Sequence, residues 1–376
     1  MYSYKILENV ESDKWNSLLL KTKSSTFFQT VEYLRSNSSL NRFPLFVYIY
    51  NEKNEVKGQL GLKIIKSKTG STNIIFKKMV ESGNKLGNRA SWVSGPIIHS
   101  ENMNERKMIL QEIFNALEDI SKKNNLMILD GYSPPQDYLI DSDYKKSFKD
   151  NGYNIQNFLT LSSELEENIE VIWKKIKKNA RNDVTKAKRE NIQIKEILDQ
   201  KMLEEHRHLT IKWAKTKGIS AKDSFENLGE DWNLIKSGIE KIFVAYKDDH
   251  MVAALRIGCF NNIAYTHQVL NAYSESGNVA GPLLTWYVIE WAKNNGIKIY
   301  DFSGGEAPAR KNDKRYSEQW DSLFAYKRKW GGNEFPYYHF IKINNKIKYK
   351  ISRILAKPDW YLRNYKRKHY SRKDRK

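Results

Sequence analysis

The 376 residues suffice for two or three domains at about 150 residues each. With 40% hydrophobic and 29% charged residues the chain is too apolar to be disordered, and no apolar run nears the ~18 residues of a spanning helix. Lysine and arginine number 64 against 44 acids, a net charge of +20 that calls for an anionic partner. The opening stretch MYSYKILENVESDKW has no basic segment followed by an apolar one. A single cysteine, Cys259, permits no internal disulfide, so a cytoplasmic location is expected.

From Phe46 the run FVYIYNEKNEVKGQLGLKII alternates apolar and polar residues about a polar turn, which predicts a β-hairpin. Gly95-Pro96 precedes a helical pattern, and ALEDISKKNNLMILDGYSP reads as the end of that helix and a strand closing on Asp130. A strand-like FLTLSS gives way to the acidic ELEENIE, which places a domain boundary near Leu161 to Glu170. In VIWKKIKKNARNDVTKAKRENIQI, Ile172, Ile176, Ala180, Val184 and Ala187 recur at steps of three and four and line one helix face. The other faces carry Lys174, Lys175, Lys177, Lys178, Arg181, Lys186, Lys188 and Arg189 against Asp183. Each close pair of like charges costs about 0.2–0.5 kcal/mol. An anion-facing role is therefore expected, with Arg181 the best phosphate grip because guanidinium donates two hydrogen bonds at once; the alternative is a solvated helix face.

A second hairpin, FVAYKDDHMVAALRIGCF, opens at Phe243. At Gly281-Pro282 a helix is expected to begin, with proline in the first turn and a glycine-rich approach, SESGNVAG, suited to an anion at the positive helix end. This stretch departs from the acyl-CoA loop pattern, since Ser274 stands where an Arg or Gln belongs. The strand IKIYD ends at Asp301, beside Phe302, Ser303, Gly304 and Gly305. A carboxylate there is either a ligand group or a turn cap. FAYKRKWGGNEF reads as a basic strand end before a Gly331-Gly332 turn, in which Lys327 offers a fixed cation to a developing oxyanion or a phosphate. From Lys342 to Lys376, 14 Lys/Arg stand against two Asp, a net +12. Ile347, Ile351, Ile354, Leu355, Trp360 and Leu362 are interspersed, which suits an anionic lipid surface or an RNA backbone equally.

Hairpin, Gly-Pro, helix and strand-to-Asp thus occur twice in one order. Setting Asp130 on Asp301 also pairs Lys122 with Lys293, Asn124 with Asn295 and Ile128 with Ile299, which argues for duplication. The class is α/β (α+β), with helices on mixed, mostly antiparallel sheets. Domains are expected at residues 1–160 and 161–340, with a basic helix or tail over 341–376. His206 and His208 are two apart and face different ways on a helix, and HExxH, CxxC, P-loop and GxSxG patterns are absent. No metal is expected, and Cys259 reads as core.

Taken together, FFQTVEYL (residues 27–34), Gly95-Pro96, KKNARNDVTKAKRENIQI, GPLLTWYVIEWAKNNGIKIYDFSGG and YKRKWGG resemble the FemABX aminoacyltransferases and their FemAB-like relatives, up to about Gly332. The resemblance implies two tandem GNAT-like domains, the second catalytic, transferring an acyl or aminoacyl group to an amine with no cofactor. In peptidoglycan-building members the donor is aminoacyl-tRNA and the acceptor an amine on an anionic cell-wall precursor. The family's Phe-Lys falls on Tyr326-Lys327, whose lysine would stabilise the adduct or position the donor ester. The family's precursor-binding lysine has Arg35 nearest, and its Arg before a Gly-aromatic pair falls on Lys217-Gly218-Ile219. Its Asn-Pro is Gly281-Pro282 here, and the coiled-coil arm of some members has no room between Ile192 and Phe243. Catalysis is thus expected at Lys327 and Tyr326, and substrate binding at Arg35, Arg181, Lys217, Gly281 and Asp301. Two alternatives stay open: an N-acyltransferase that takes an acyl thioester to an amino sugar of a surface polysaccharide, and a non-catalytic RNA- or membrane-binding scaffold. Contact with the inner face of the membrane is expected through the basic tail.

Overall fold

The computed structural model describes residues 1–36, 38–66, 87–135, 137, 139–216, 228–272, 275–304, 318–352 and 354. Among the described residues the chain divides into two compact units, one of residues 1–158 with the stretch 336–354, the other of Leu159–Phe335.

In the first unit, β1 (Tyr2–Leu7) pairs antiparallel with β2 (Arg42–Asn51), after α1 (Ser12–Leu19) and α2 (Val31–Arg35). The expected hairpin joins β2 to β3 (Val56–Ile65), and the Asn51 side chain accepts from the amides of Lys53 and Glu55 at 3.0 and 2.9 Å to close the turn. β3 pairs with β4 (Arg89–Trp92) and with the short β5 (Ile97–Ile98). Then α3 (Met103–Lys123) crosses over to β6 (Ile128–Tyr132), which lies parallel to β4. Asn102 caps α3 by accepting from the Glu105 amide at 3.0 Å, and Ile109, Ile113, Leu117 and Ile120 line its buried face. Next comes α4 (Ser142–Asp150), whose Phe148 stacks on Phe340 at 3.6 Å.

The second unit repeats this plan. It contains β7 (Asn154–Glu164) from Leu159 onward, α5 (Ile169–Lys175), α6 (Lys178–Ala187), β8 (Ile192–Glu196), α7 (Gln200–Thr216) and α8 (Leu228–Lys236). There follow β9 (Glu240–Lys247), β10 (His250–Phe260), β11 (Ile263–Asn271), α9 (Glu275–Asn294), β12 (Ile299–Asp301) and α10 (Glu318–Arg328). β8, β9, β10 and β11 form an antiparallel series. α9 then crosses over to β12, parallel to β11. Each unit thus has antiparallel strands followed by one parallel pair bridged by a long helix, the twofold pattern read from the hairpins and the strands ending at Asp130 and Asp301. The core of this unit lies on both sheet faces: Phe243, Leu255 and Ile257 face α5, α6 and α9, while Ile242, Val244 and Leu270 face α7 and α8.

Three expectations are corrected. The basic segment is two helices, not one, because Ile176 and Lys177 take extended backbone (ψ 137° and 143°). The Lys177 amide donates instead to the Lys329 carbonyl at 2.8 Å, although Ile172, Ile176, Ala180, Val184 and Ala187 are all buried as the periodicity predicts. FAYKR is the end of helix α10, not a strand. The two Gly-Pro pairs are not equivalent: Gly95-Pro96 lies between β4 and β5, whereas Gly281-Pro282 lies inside α9. In addition, β13 (Asn333–Ile343) pairs antiparallel with β6 of the first unit, His339 opposite Tyr132, whereas β7 pairs with β12 of the second. A helix, α11, is described over residues 346–352 and at 354.

A buried ionic network ties five elements of the second unit, β9, β10, β11, α7 and α8. Arg256 on β10 donates through Nε to Glu240 at 2.7 Å and through Nη2 to Asp231 on α8 at 2.9 Å. Arg207 on α7 pairs with the same Asp231, and His267 on β11 meets Glu240 at 2.8 Å. Burial raises the Glu240 pKa, but the hydrogen bond with His267 and the charge of Arg256 outweigh it and hold the carboxyl below its ordinary value. Its stabilising effect is therefore present above the ordinary carboxylate range and is lost as pH falls through the depressed value. Glu240→Ala removes one of the two carboxylates on Arg256 and leaves two buried guanidinium groups, Arg256 and Arg207, to share Asp231; it should cost about 3–5 kcal/mol, read as a lower urea midpoint. The difference from the parent should shrink as the pH is lowered toward the acid limb.

Candidate active site

The turn that leaves β12 is built around a carboxylate. Asp301 is 1% exposed. Its Oδ1 accepts from Thr160 Oγ1 at 2.6 Å and from the Ser303 amide at 2.7 Å, and its Oδ2 accepts from Ser162 Oγ at 2.8 Å. Asp301 is thus occupied by its own chain, which fits the turn-cap alternative and not direct contact with a substrate. Capping stabilises an otherwise costly backbone: Ser303 and Gly304 both have positive φ, 52° and 58°. The turn aims two successive carbonyls at one point, and Lys327 fills it.

Lys327 sits in the last turn of α10, where the negative end of the helix dipole favours a cation. Its Nζ donates to the Ser303 carbonyl and, at 3.1 Å, to the Gly304 carbonyl. One N–H of the three is left over for an incoming oxygen. Desolvation draws its pKa down to about 8, while the Asp301 charge acts to raise it. The group is therefore mostly protonated at pH 7 and neutral well above pH 8. A Cβ at position 304 would lie 3.0 Å from Nζ, so glycine serves both the left-handed backbone and the approach of the ammonium.

The other expected residues divide. Tyr326 packs against the core, its hydroxyl 3.3 Å from Thr285 Oγ1 and its ring edge-on to Trp330. Burial raises its pKa. This is a packing position for α10, turned about 100° around the helix from Lys327. Gly281 does not open a helix: α9 starts at Glu275, so its amide is not an exposed helix end. Its lack of a side chain admits Asn271 of β11, whose amide oxygen would be 2.9 Å from a Cβ there. Arg181 on α6 is half-buried, and its Nε is enclosed without a hydrogen-bond partner. The Lys177–Lys329 backbone bond sets the first turn of α6, which ends near Arg181, against the residues that follow Lys327. Lys175 pairs with Glu167 at 2.5 Å. Among the described residues Lys174, Lys177, Lys178, Lys186, Lys188 and Arg189 form no ion pair, and all six are exposed.

In the first unit, Arg35 donates to Asn9 Oδ1 at 2.6 Å and to the Val10 carbonyl at 2.7 Å. Its fork fastens the segment before α1. Lys217, Gly218, Ile219, Ser274 and Gly305 lie outside the described residues. A cavity of about 240 Å³ in the first unit is lined by Glu118, Tyr153 and Lys342 among others, and by none of the expected residues. Among the described residues no group of three or more His, Cys, Asp or Glu is placed to hold a metal ion, and no helix is long and apolar enough to cross a membrane. The residues that sequence reading missed are Thr160 and Ser162, which hold Asp301, and the Arg256 network. A lone arginine inside the apolar run VAALRIGCF was the available signal for the latter.

Residues 174–328 match the family described as an acetyltransferase (GNAT) domain. The matched segment lies within the second unit. Among solved structures, FemX superposes with a TM-score of 0.69 at 12% identity, covering 92% of this chain and 99% of that one. The C-terminal domain of a putative lysylphosphatidylglycerol synthetase from Agrobacterium fabrum gives 0.52 at 9% identity, covering 92% and 94%. A tandem GNAT protein from the clavulanic acid biosynthesis pathway gives 0.53 at 9% identity, covering 90% and 98%. No curated protein sequence matches the chain. The chain thus has a fold like that of FemX and of a tandem GNAT protein over nine-tenths of its length, two GNAT-like domains as expected.

Asp301→Asn keeps the size of the side chain but removes its charge, and with it the influence that keeps Lys327 protonated. The Lys327 pKa should fall below about 8 in that variant, seen as a shift of the alkaline limb of any Lys327-dependent activity to lower pH. Gly304→Ala should strain the left-handed turn by about 1 kcal/mol or more and displace the ammonium, measured as a lower melting temperature together with lost activity.

Proposed function

We propose that the chain transfers an activated aminoacyl or acyl group from an ester or thioester to an amine of an anionic cell-envelope precursor. The observation that carries this reading is the Lys327 ammonium, held on two carbonyls inside the matched GNAT segment with one donor to spare. The neutral amine attacks the donor carbonyl carbon, a C–N bond forms, and the carbonyl oxygen takes negative charge. Lys327 donates to that oxygen, an interaction that strengthens as the charge develops. Collapse of the adduct breaks the bond to the leaving oxygen or sulfur, which takes up the proton lost by the amine. Asp301 positions Lys327 through the Ser303–Gly304 turn and keeps it charged. Arg181 and the unpaired lysines of α5 and α6 supply cations for the phosphate-bearing part of a reactant; Lys217 remains a candidate for the same task.

Two observations bear on the donor. The motif resemblance favours aminoacyl-tRNA, as does the exposed basic face of α6, which suits a polyanion. The acetyltransferase description of the matched family favours a thioester. Offering radiolabelled aminoacyl-tRNA and acyl-CoA in parallel, with amino-bearing envelope precursors as acceptors, separates them. Label entering an amide from tRNA supports the first donor, and label entering from the thioester alone supports the second. Transfer from neither rejects acyl transfer. Lys327→Ala should lower kcat by ~10²-fold or more with the fold intact, as circular dichroism would verify. Parent turnover should decline as pH rises through about 8, where Lys327 loses its proton.

A further inference from the structure

Helix α11 is amphipathic the wrong way round for a surface helix. It begins at Lys346, after Asn345, whose Oδ1 accepts from the Lys348 amide at 2.8 Å. Its protein-facing side is polar: Asn345, Lys348, Tyr349 and Ser352, at steps of three, four and seven, are half-buried. Lys348 Nζ reaches Asn125 Oδ1 at 3.3 Å on the turn after α3. The opposite side bears Ile347, Ile351 and Ile354, which are 73%, 42% and 61% exposed. A helix that packs on a globular protein buries its aliphatic stripe, so this stripe serves something outside the unit.

The surrounding charge selects the partner. Lys346 and Lys350 are exposed beside the isoleucines. Lys122 and Lys123, 71% and 80% exposed, end α3 on the turn that Lys348 reaches. From Lys346 to Lys376 the sequence holds 13 Lys/Arg against two Asp. A second copy of so basic a surface would be repelled, and the remaining C-terminal segment carries the same sign. An RNA backbone complements the lysines but offers nothing to three aliphatic side chains, since single strands are bound by cations and aromatic stacking. A bilayer with anionic headgroups complements both, its hydrocarbon boundary taking the isoleucines and its phosphates the lysines.

We infer that α11 docks the chain on an anionic lipid bilayer, Ile347, Ile351 and Ile354 entering the headgroup–acyl boundary. The inference is independent of the chemistry at Lys327. Its test is co-sedimentation of the full-length chain with phosphatidylcholine vesicles, with and without phosphatidylglycerol. Partitioning should be strong only with the anionic lipid. Ile351→Glu, and separately the pair Lys346→Glu and Lys350→Glu, should each reduce it by about tenfold or more. All three side chains are exposed, so the melting temperature of these variants should match the parent. Undiminished partitioning by Ile351→Glu would overturn the inference. So would binding to single-stranded RNA without binding to vesicles, or a dimer that the same substitution abolishes.

Discussion

An ammonium group drawn partly out of water must find oxygen lone pairs, and the turn after β12 exists in a form that provides them. Two successive carbonyls converge only because Ser303 and Gly304 both take left-handed backbone. That backbone is held by the buried Asp301, which is itself held by hydroxyls on β7. The chain of dependence runs from Thr160 and Ser162 to Asp301, to the turn, to Lys327. Each link fixes the next, so the cation is set in place before any substrate arrives. Preorganisation of this kind removes the cost of orienting a dipole or charge at the moment of reaction. It also explains why the lysine pKa settles near 8 and not lower: the same Asp301 that shapes the turn opposes the effect of desolvation.

Charge in this molecule is distributed in two ways with different consequences. Arg207, Asp231, Glu240, Arg256 and His267 sit inside the second unit, where they share partners and fasten α7 and α8 to the sheet. The exposed lysines of α5, α6 and α11 have few acidic neighbours, and their mutual repulsion is relieved only by an external anion. The first arrangement serves the fold. The second faces outward, toward the proposed phosphate-bearing reactant near α6 and the proposed anionic surface at α11.

Much of the fold was legible because its signals are local. The two hairpins, α3 with β6, and α9 with β12 follow from period-2 and period-3.6 patterns, and the duplication follows from their order. What was hidden is what long-range contacts decide. No periodicity announces the break at Ile176–Lys177, since the Lys177 amide is claimed by Lys329, about 150 residues away in sequence. The alternation of FLTLSS predicts a strand without telling which sheet will take it, and β7 pairs with β12, not with the strands that precede it. SESGNVAG has the composition of a loop, yet α9 takes in all of it from Glu275 onward, and Gly281 leaves room for Asn271 against the helix. For the site, Lys327 and Asp301 were visible as a cation before a Gly-Gly turn and an acid at a strand end. Their linkage through Ser303 and Gly304 was not, since it depends on backbone carbonyl direction. Arg35 was legible by residue type, whereas its contacts with oxygens of its own unit were not.

The account rests on a lysine that is a cation at neutral pH yet gives up its proton far more readily than one in water. Titrating the chain with 13C-labelled lysine by NMR, and assigning the Lys327 ε-carbon by its loss in a Lys327→Arg variant, measures this directly. A midpoint near 8 is the predicted result. A midpoint near the 10.5 of a solvated lysine would mean that the ammonium is not held on the Ser303 and Gly304 carbonyls, and would contradict the proposed site.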